Sequence, residues 1–235
     1  MPDLNWLNHT HEFPPPNTAL ADPDGLLAAG GDLSPARIIS AYKHGIFPWY
    51  SDDQPILWWS PNPRCVIKPE HAYSSKSLKK HIRKSKPKLS FDLAFEEVIL
   101  HCARIGSKEG TWITEEMELA YIELHKQGVA HSVEVWENGE LTGGLYGLAI
   151  GRCFFGESMF SLKPNSSKVA FVSLCKQLHA WKYDLIDCQI ENPHLLSLGA
   201  KCIDREDFLT ILKDNIDKPP LQHEWHFANA DEQIA

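Results

Sequence analysis

A chain of 235 residues, 43% of them hydrophobic, is long enough to bury a core in one large domain or two modest ones. Its formal charge of −8 excludes a generic nucleic-acid coat. It has no apolar run able to span a bilayer, and the start Met1-Pro2-Asp3-Leu4-Asn5-Trp6 has neither a basic leader nor an apolar core, so a cytoplasmic protein without membrane attachment is expected.

Phe13-Pro14-Pro15-Pro16 must be extended, because each proline restrains the residue before it. Gly30-Gly31 permits a tight bend, after which Ser34-Pro35 starts a helix with Ile38, Ile39 and Tyr42 on its apolar face and Gly45 at its end. The stretch from Gly45 to Arg64 gathers three tryptophans among prolines. Trp58 and Trp59 fit a small aromatic core, while Trp49, beside Pro48 at a bend, can offer a flat face for stacking on a base. Between His71 and Phe91 lie seven cations and no acid. Lys79, Lys80, Arg83 and Lys84 have helical spacing there, which suits either a solvated face or a local phosphate contact.

A second unit is expected to begin near Ser90, with a helix whose apolar face is Phe91, Phe95, Val98, Ile99 and Cys102. Thr114 caps another helix that ends at Gly128. Strands follow over residues 131–136, 141–150 and 152–157, the first two joined by an Asn138-Gly139 hairpin turn. A helix over 167–181, a strand over 184–189 and a helix from Asp204 complete the pattern, and Trp225 and Phe227 dock the polar tail. This order predicts an α/β (α+β) chain. A small N-terminal domain occupies residues 1–89, and residues 90–235 form an N-acetyltransferase-like (GNAT-like) domain with a mixed sheet flanked by helices. The substrate site is expected in the opening between the 152–157 and 184–189 strands. The six cysteines, Cys65, Cys102, Cys153, Cys175, Cys188 and Cys202, show no metal spacing and suggest reduced thiols with no metal.

The run Leu185-Ile186-Asp187-Cys188-Gln189-Ile190-Glu191-Asn192-Pro193-His194 begins apolar and ends crowded with polar groups, each of which needs a partner if buried. Three chemistries are open to it. A Cys188–His194 pair could make a cysteine hydrolase, but alternation turns Cys188 away from Asp187 and Gln189. Acyl-CoA-dependent N-acetylation suits the element order, yet residues 158–168 carry no glycine to cradle a pyrophosphate. The third chemistry keeps acyl transfer and changes the donor. Asp187 and Gln189 share one face, and the carboxylate orients the amide toward an incoming amine. Glu157 adds negative charge suited to a cationic substrate, and Met159, Phe171, Leu174 and Ile186 supply apolar walls for the side chain of an activated amino-acid ester.

The chain resembles the leucyl/phenylalanyl-tRNA–protein transferase family. The resemblance is carried by residues 25–34, by GIFPWYSDDQPILWWSPNPR from Gly45 to Arg64, by GTWIT at 110–114, HSVEVW at 131–136, GESMFS at 156–161 and Leu185 to Ala200. It implies transfer of Leu, Phe or less readily Met from aminoacyl-tRNA to proteins whose N-terminal residue is Arg or Lys, marking them for degradation. No cofactor is implied, and a monomer is expected. It implies that Asp187 and Gln189 handle the acceptor amine and that Glu157 and Asn192 line the site. Trp49 and Trp112 would hold the 3′-terminal adenosine, and Lys79, Lys80, Arg83 and Lys84 would meet the tRNA acceptor stem. A non-catalytic tRNA- or degron-binding adaptor on the same fold is the rival from another class.

Overall fold

The computed structural model describes residues 4–105, 113–219 and 224–226. The chain first builds a small sheet from β1 (Asn5–Leu7), β2 (Leu26–Gly30), β3 (Phe47–Pro48) and β4 (Leu57–Trp59), in the order β1-β2-β4-β3. Helix α1 (Pro35–Lys43) follows Ser34 and buries Ile38, Ala41 and Tyr42. Trp58 is fully buried, its indole N–H donates to the Gly30 carbonyl at 2.9 Å, and Phe13 meets it edge-on at 4.9 Å. That bond is what allows so large a polar-tipped ring into the core.

The large sheet has seven strands: β5 (Arg64–Ile67), β6 (Lys88–Phe91), β7 (Ala130–Glu137), β8 (Glu140–Ile150), β9 (Cys153–Ser161), β10 (Leu185–Gln189) and β11 (Lys201–Ile203). Their order is β11-β5-β10-β9-β8-β7-β6. β9 and β10 run parallel and every other neighbouring pair is antiparallel. Helices α3 (Phe95–Ile105), α4 (Glu115–Lys126) and α7 (Arg205–Asn215) share one core cluster with α1. Helices α2 (Lys76–Ser85) and α5 (Ser166–Ala180) belong to the cluster on the other side. The short α6 (Pro193–Leu196) follows β10. The fold is therefore a mixed α/β domain, its large sheet flanked by helices, joined to the small N-terminal sheet. Among the described residues, no helix is long and apolar enough to cross a membrane.

Phe91 is a correction. It ends strand β6, with Lys88, Leu89, Ser90 and Phe91 paired to Trp136, Val135, Glu134 and Val133. Leu89 and Phe91 point inward with a period of two, which a search for helical spacing overlooks. The chain passes from the small sheet to the large one between Trp59 and Arg64, well before residue 89. β5 is buried along its whole length, so it has no alternation to announce it. Asn138 and Gly139 take φ of 55° and 83°, the left-handed pair that a tight hairpin demands. Gly143 lets α5 start close to β8: a Cβ there would lie 2.4 Å from the Ser166 Cβ.

Candidate active site

Strands β9 and β10 pair only at Leu185–Cys153, Ile186–Phe154 and Asp187–Phe155. Beyond that point β9 runs on to Ser161 with β8, while β10 goes on with β5 to end at Gln189. A parallel pair that stops halfway leaves a gap between the strands. A cavity of about 310 Å³ occupies it. Met159, Phe171, Leu174, Ile186 and Cys188 give it apolar walls, while Glu157, Gln189, Asn192 and His194 supply polar groups.

Two bulges meet at this gap. In β9 the pairing with β8 shifts so that Tyr146 faces Ser158 and Gly147 faces Gly156, which leaves Glu157 without a register partner. In β10 the pairing with β5 shifts between Asp187 and Gln189, which leaves Cys188 as the extra residue. A bulge re-aims the side chains beside it. Gln189 accordingly takes φ of 58°, a left-handed conformation rare for a residue with a Cβ.

These bulges correct the expectation that Asp187 and Gln189 share a face. Gln189 turns to the cavity beside Cys188, while Asp187 is sealed with no exposed surface. Arg64 grips the Asp187 carboxylate in a fork, Nε to Oδ1 at 2.9 Å and Nη2 to Oδ2 at 2.6 Å, and is itself fully buried. Arg64 also donates to the Gly45 carbonyl at 3.1 Å and lies between the rings of Phe47 and Phe208. Asp187 Oδ1 accepts the backbone N–H of Gln189 at 2.9 Å. Asp187 thus fixes the strained backbone of Gln189 and does not orient its amide.

Glu157 orients that amide. Its Oε1 accepts from Gln189 Nε2 at 2.9 Å and from the Tyr42 hydroxyl at 2.7 Å, and its Oε2 accepts from the Tyr121 hydroxyl at 2.9 Å. When ionised, Glu157 can only accept, so the NH2 of Gln189 faces it and the amide oxygen is turned away. Burial pushes the Glu157 carboxyl up to about 7; the Tyr42 and Tyr121 hydroxyls oppose the rise, the charge of Asp187 adds to it, and the Gln189 donor opposes it. Burial first and the Glu157 charge second hold both phenols far above their ordinary value, so they remain donors.

Cys188 lies against Cys65, and that contact, then burial, drives its thiol well above its ordinary value. A thiol so protonated is a poor nucleophile, which removes the cysteine-hydrolase arrangement. Asn192 reaches the cavity while its Oδ1 accepts the His194 backbone N–H at 2.8 Å. The exposed Glu191 takes a bond from the Cys202 thiol at 3.1 Å.

Trp49 is 40% exposed, tilted against Trp59 at 5.6 Å, and its carbonyl takes the Trp59 indole N–H at 2.6 Å. Trp112 and Phe227 lie outside the described residues. Lys79, Lys80, Arg83 and Lys84 are exposed on α2, which Ser75 caps by accepting the Leu78 N–H at 3.1 Å. Lys79 and Arg83 also border a groove of about 580 Å³ between α2 and α5, with Lys176 on its far side. Sequence reasoning missed Arg64, Tyr42 and Tyr121. An arginine opening the apolar strand Arg64-Cys65-Val66-Ile67 was the one available signal.

The mixed sheet, opened between two parallel strands, thus holds an apolar cavity with a carboxylate–amide pair at its polar side. Two family models match the chain: "Leucyl/phenylalanyl-tRNA protein transferase" over residues 66–213 and the N-terminal domain of the same proteins over residues 31–62. A transferase of that name from Hahella chejuensis is 57% identical over 227 residues, covering 96% of each chain. Another, from Pseudomonas fluorescens (strain SBW25), is 55% identical over 218 residues, covering 92% of this chain and 96% of its own. Among solved structures, L-PGS from Bacillus licheniformis aligns with a TM-score of 0.40 at 9% identity, over 66% of this chain and 50% of that one. The chain belongs to the leucyl/phenylalanyl-tRNA–protein transferase family.

Proposed function

We propose that the protein transfers Leu or Phe, and less readily Met, from aminoacyl-tRNA to proteins with an N-terminal Arg or Lys, marking them for degradation. It would act as a monomer in the cytoplasm and need no cofactor. The observation that carries this reading is the cavity between β9 and β10, apolar within and closed by the Glu157–Gln189 pair. About 310 Å³ accommodates one large apolar side chain. An aminoacyl ester is already activated, so the protein must bring it to the amine and stabilise the developing charge. The amine nitrogen attacks the ester carbonyl, the C–N bond forms, the C–O bond breaks, and the ribose oxygen leaves with a proton. The free amide oxygen of Gln189 accepts an N–H of the attacking amine. Glu157 attracts the cationic acceptor, and Asp187 with Arg64 holds Gln189 in place. Trp49 and Trp112 stack on the terminal adenosine, and Lys79, Lys80, Arg83 and Lys84 contact the acceptor stem.

The test is incubation with Leu-tRNA labelled in its aminoacyl group and a peptide that begins with Arg. Labelled peptide is expected, and none should form from a peptide that begins with Asp. Retention of both ligands without labelled peptide would replace the transferase by a binding adaptor.

A further inference from the structure

Strand β9 carries Gly156 in its interior, where a glycine weakens a strand. The other described glycines each have an evident reason. Eight take a positive φ, and a Cβ on Gly143, Gly144 or Gly147 would lie 2.4, 2.7 or 2.2 Å from a neighbouring atom. Gly156 has neither reason. Its φ is not positive, and a Cβ there would meet only the Asp187 carbonyl oxygen, at an ordinary 3.7 Å. Neither backbone nor packing calls for a glycine at this position.

What Gly156 faces is the cavity. It is half-buried and lines the space at the point where β9 parts from β10. It stands two residues after Phe154 and before the bulge, so it shares a face with Phe154 and with Ile186, the register partner of Phe154. That is the apolar side of the cavity. Its cross-strand neighbour on β8 is Gly147. There the ring of Phe154 comes so close that a Cβ on Gly147 would lie 2.7 Å from it. Two glycines thus stand side by side on one face. The protein's own phenyl ring lies against one of them, and the cavity opens over the other. A ring against a strand glycine is a favourable pairing, because a flat face can rest on a Cα that carries no side chain.

We propose that Gly156 is a specificity-determining residue: the bare floor it provides takes the phenyl ring of the donor amino acid, and its lack of a side chain is what admits Phe beside Leu. This rests on the aminoacyl-transfer reading above and assigns one residue to the choice of donor. A ring that packs on the floor needs contact across its whole face, and a methyl group on Gly156 stands in its way. The isobutyl group of Leu is shorter and keeps to the walls formed by Phe171, Leu174 and Ile186. The same role accounts for a glycine kept in a strand at a loss of stability.

Two measurements on the full chain test it. In competition between Leu-tRNA and Phe-tRNA for the Arg peptide, Gly156→Ala should lower the ratio of kcat/KM for Phe to that for Leu by about tenfold or more. Because Ala is preferred to Gly within a strand, the thermal midpoint should equal or exceed that of the wild type, and the affinity for deacylated tRNA should be unchanged. An unchanged ratio, with the two transfers falling together or not at all, would overturn the proposal. So would a lower thermal midpoint, since the glycine would then serve the fold. The second measurement is calorimetric binding of adenosine carrying Phe or Leu through a 3′-amide, which cannot react. Gly156→Ala should weaken the Phe compound about tenfold and spare the Leu compound. If wild-type protein labels the peptide from neither tRNA, the transferase reading fails. Binding of the two adenosines still decides the role of Gly156, and equal weakening of both, or of neither, would sink it.

Discussion

Glu157 is the residue whose chemistry depends most on its surroundings. Its ordinary value is 4.5 and its value in the fold is about 7, so between those limits the native protein holds the proton more tightly than the unfolded chain. This carboxyl therefore makes stability fall as pH rises from about 4.5 to 7 and adds no slope above that. Activity should move the opposite way, because only the ionised form attracts a cationic acceptor. Transfer to the Arg peptide should rise through pH 7, and Glu157→Gln should flatten that limb in kcat/KM. Asp187 and Cys188 make a contrasting pair. Asp187→Ala strands the buried Arg64 charge and should cost about 3–5 kcal/mol in urea denaturation, with most activity lost. Cys188→Ala only enlarges the cavity wall and should keep most activity, at a cost of roughly 1 kcal/mol. The polar residues of this site were legible in the sequence because a carboxylate, an amide and an imidazole after an apolar run need explaining. Their partners were not, because Arg64 and Asp187 are 123 residues apart and nothing local links them.

At the scale of elements, β7, β8, β10, α4 and α5 stand where their sequences put them, because each has a clear period, cap or turn, while β9 runs four residues past its expected end, to Ser161. The faces of β10 were misassigned because alternation assumes a regular strand. A bulge adds one residue and returns Gln189 to the side of Cys188. No spacing rule marks a bulge in a five-residue strand. Helix α2 shows the reverse: its cations were plain in the sequence and stand exposed in the fold. If they hold the acceptor stem, tRNA binding must weaken steeply with salt. Replacing Lys79 and Arg83 with Ala should reduce the slope of log affinity against log salt by about two, roughly one for each phosphate that is no longer neutralised. An unchanged slope in a filter-binding titration would move the tRNA elsewhere.

The whole molecule explains why a small N-terminal sheet is attached to a domain that already contains the cavity. Tyr42 comes from α1 and reaches Glu157 in β9, while Gly45 just beyond that helix receives Arg64. The N-terminal part thus supplies one of the three donors that hold the site's carboxylate. Tyr42→Phe removes a bond that lowers the Glu157 pKa, so the activity limb near pH 7 should shift to higher pH, with about 1 kcal/mol of stability lost. A limb that stayed in place would mean that Tyr121 and Gln189 suffice. The two-part plan was visible in the sequence as a change from Pro- and Trp-rich loops to periodic strands and helices. Strands β5 and β6 were not marked out there, because their short apolar patterns are too brief to stand out beside the basic helix between them.

The fork between Arg64 and Asp187 also bears on the order in which the chain becomes competent. Arg64 leaves the ribosome long before Asp187 and Phe208, the groups that cover it, and Tyr42 waits equally for Glu157, 115 residues later. Until then a guanidinium and a phenol bound for the interior stay in water, and the aromatic N-terminal part has its surface without its counterpart. Contacts that span half the chain carry a larger loop-closure entropy than local ones. A chain broken off before α7 can close the fork, yet one face of its guanidinium stays wet, because Phe208 of α7 is what covers it.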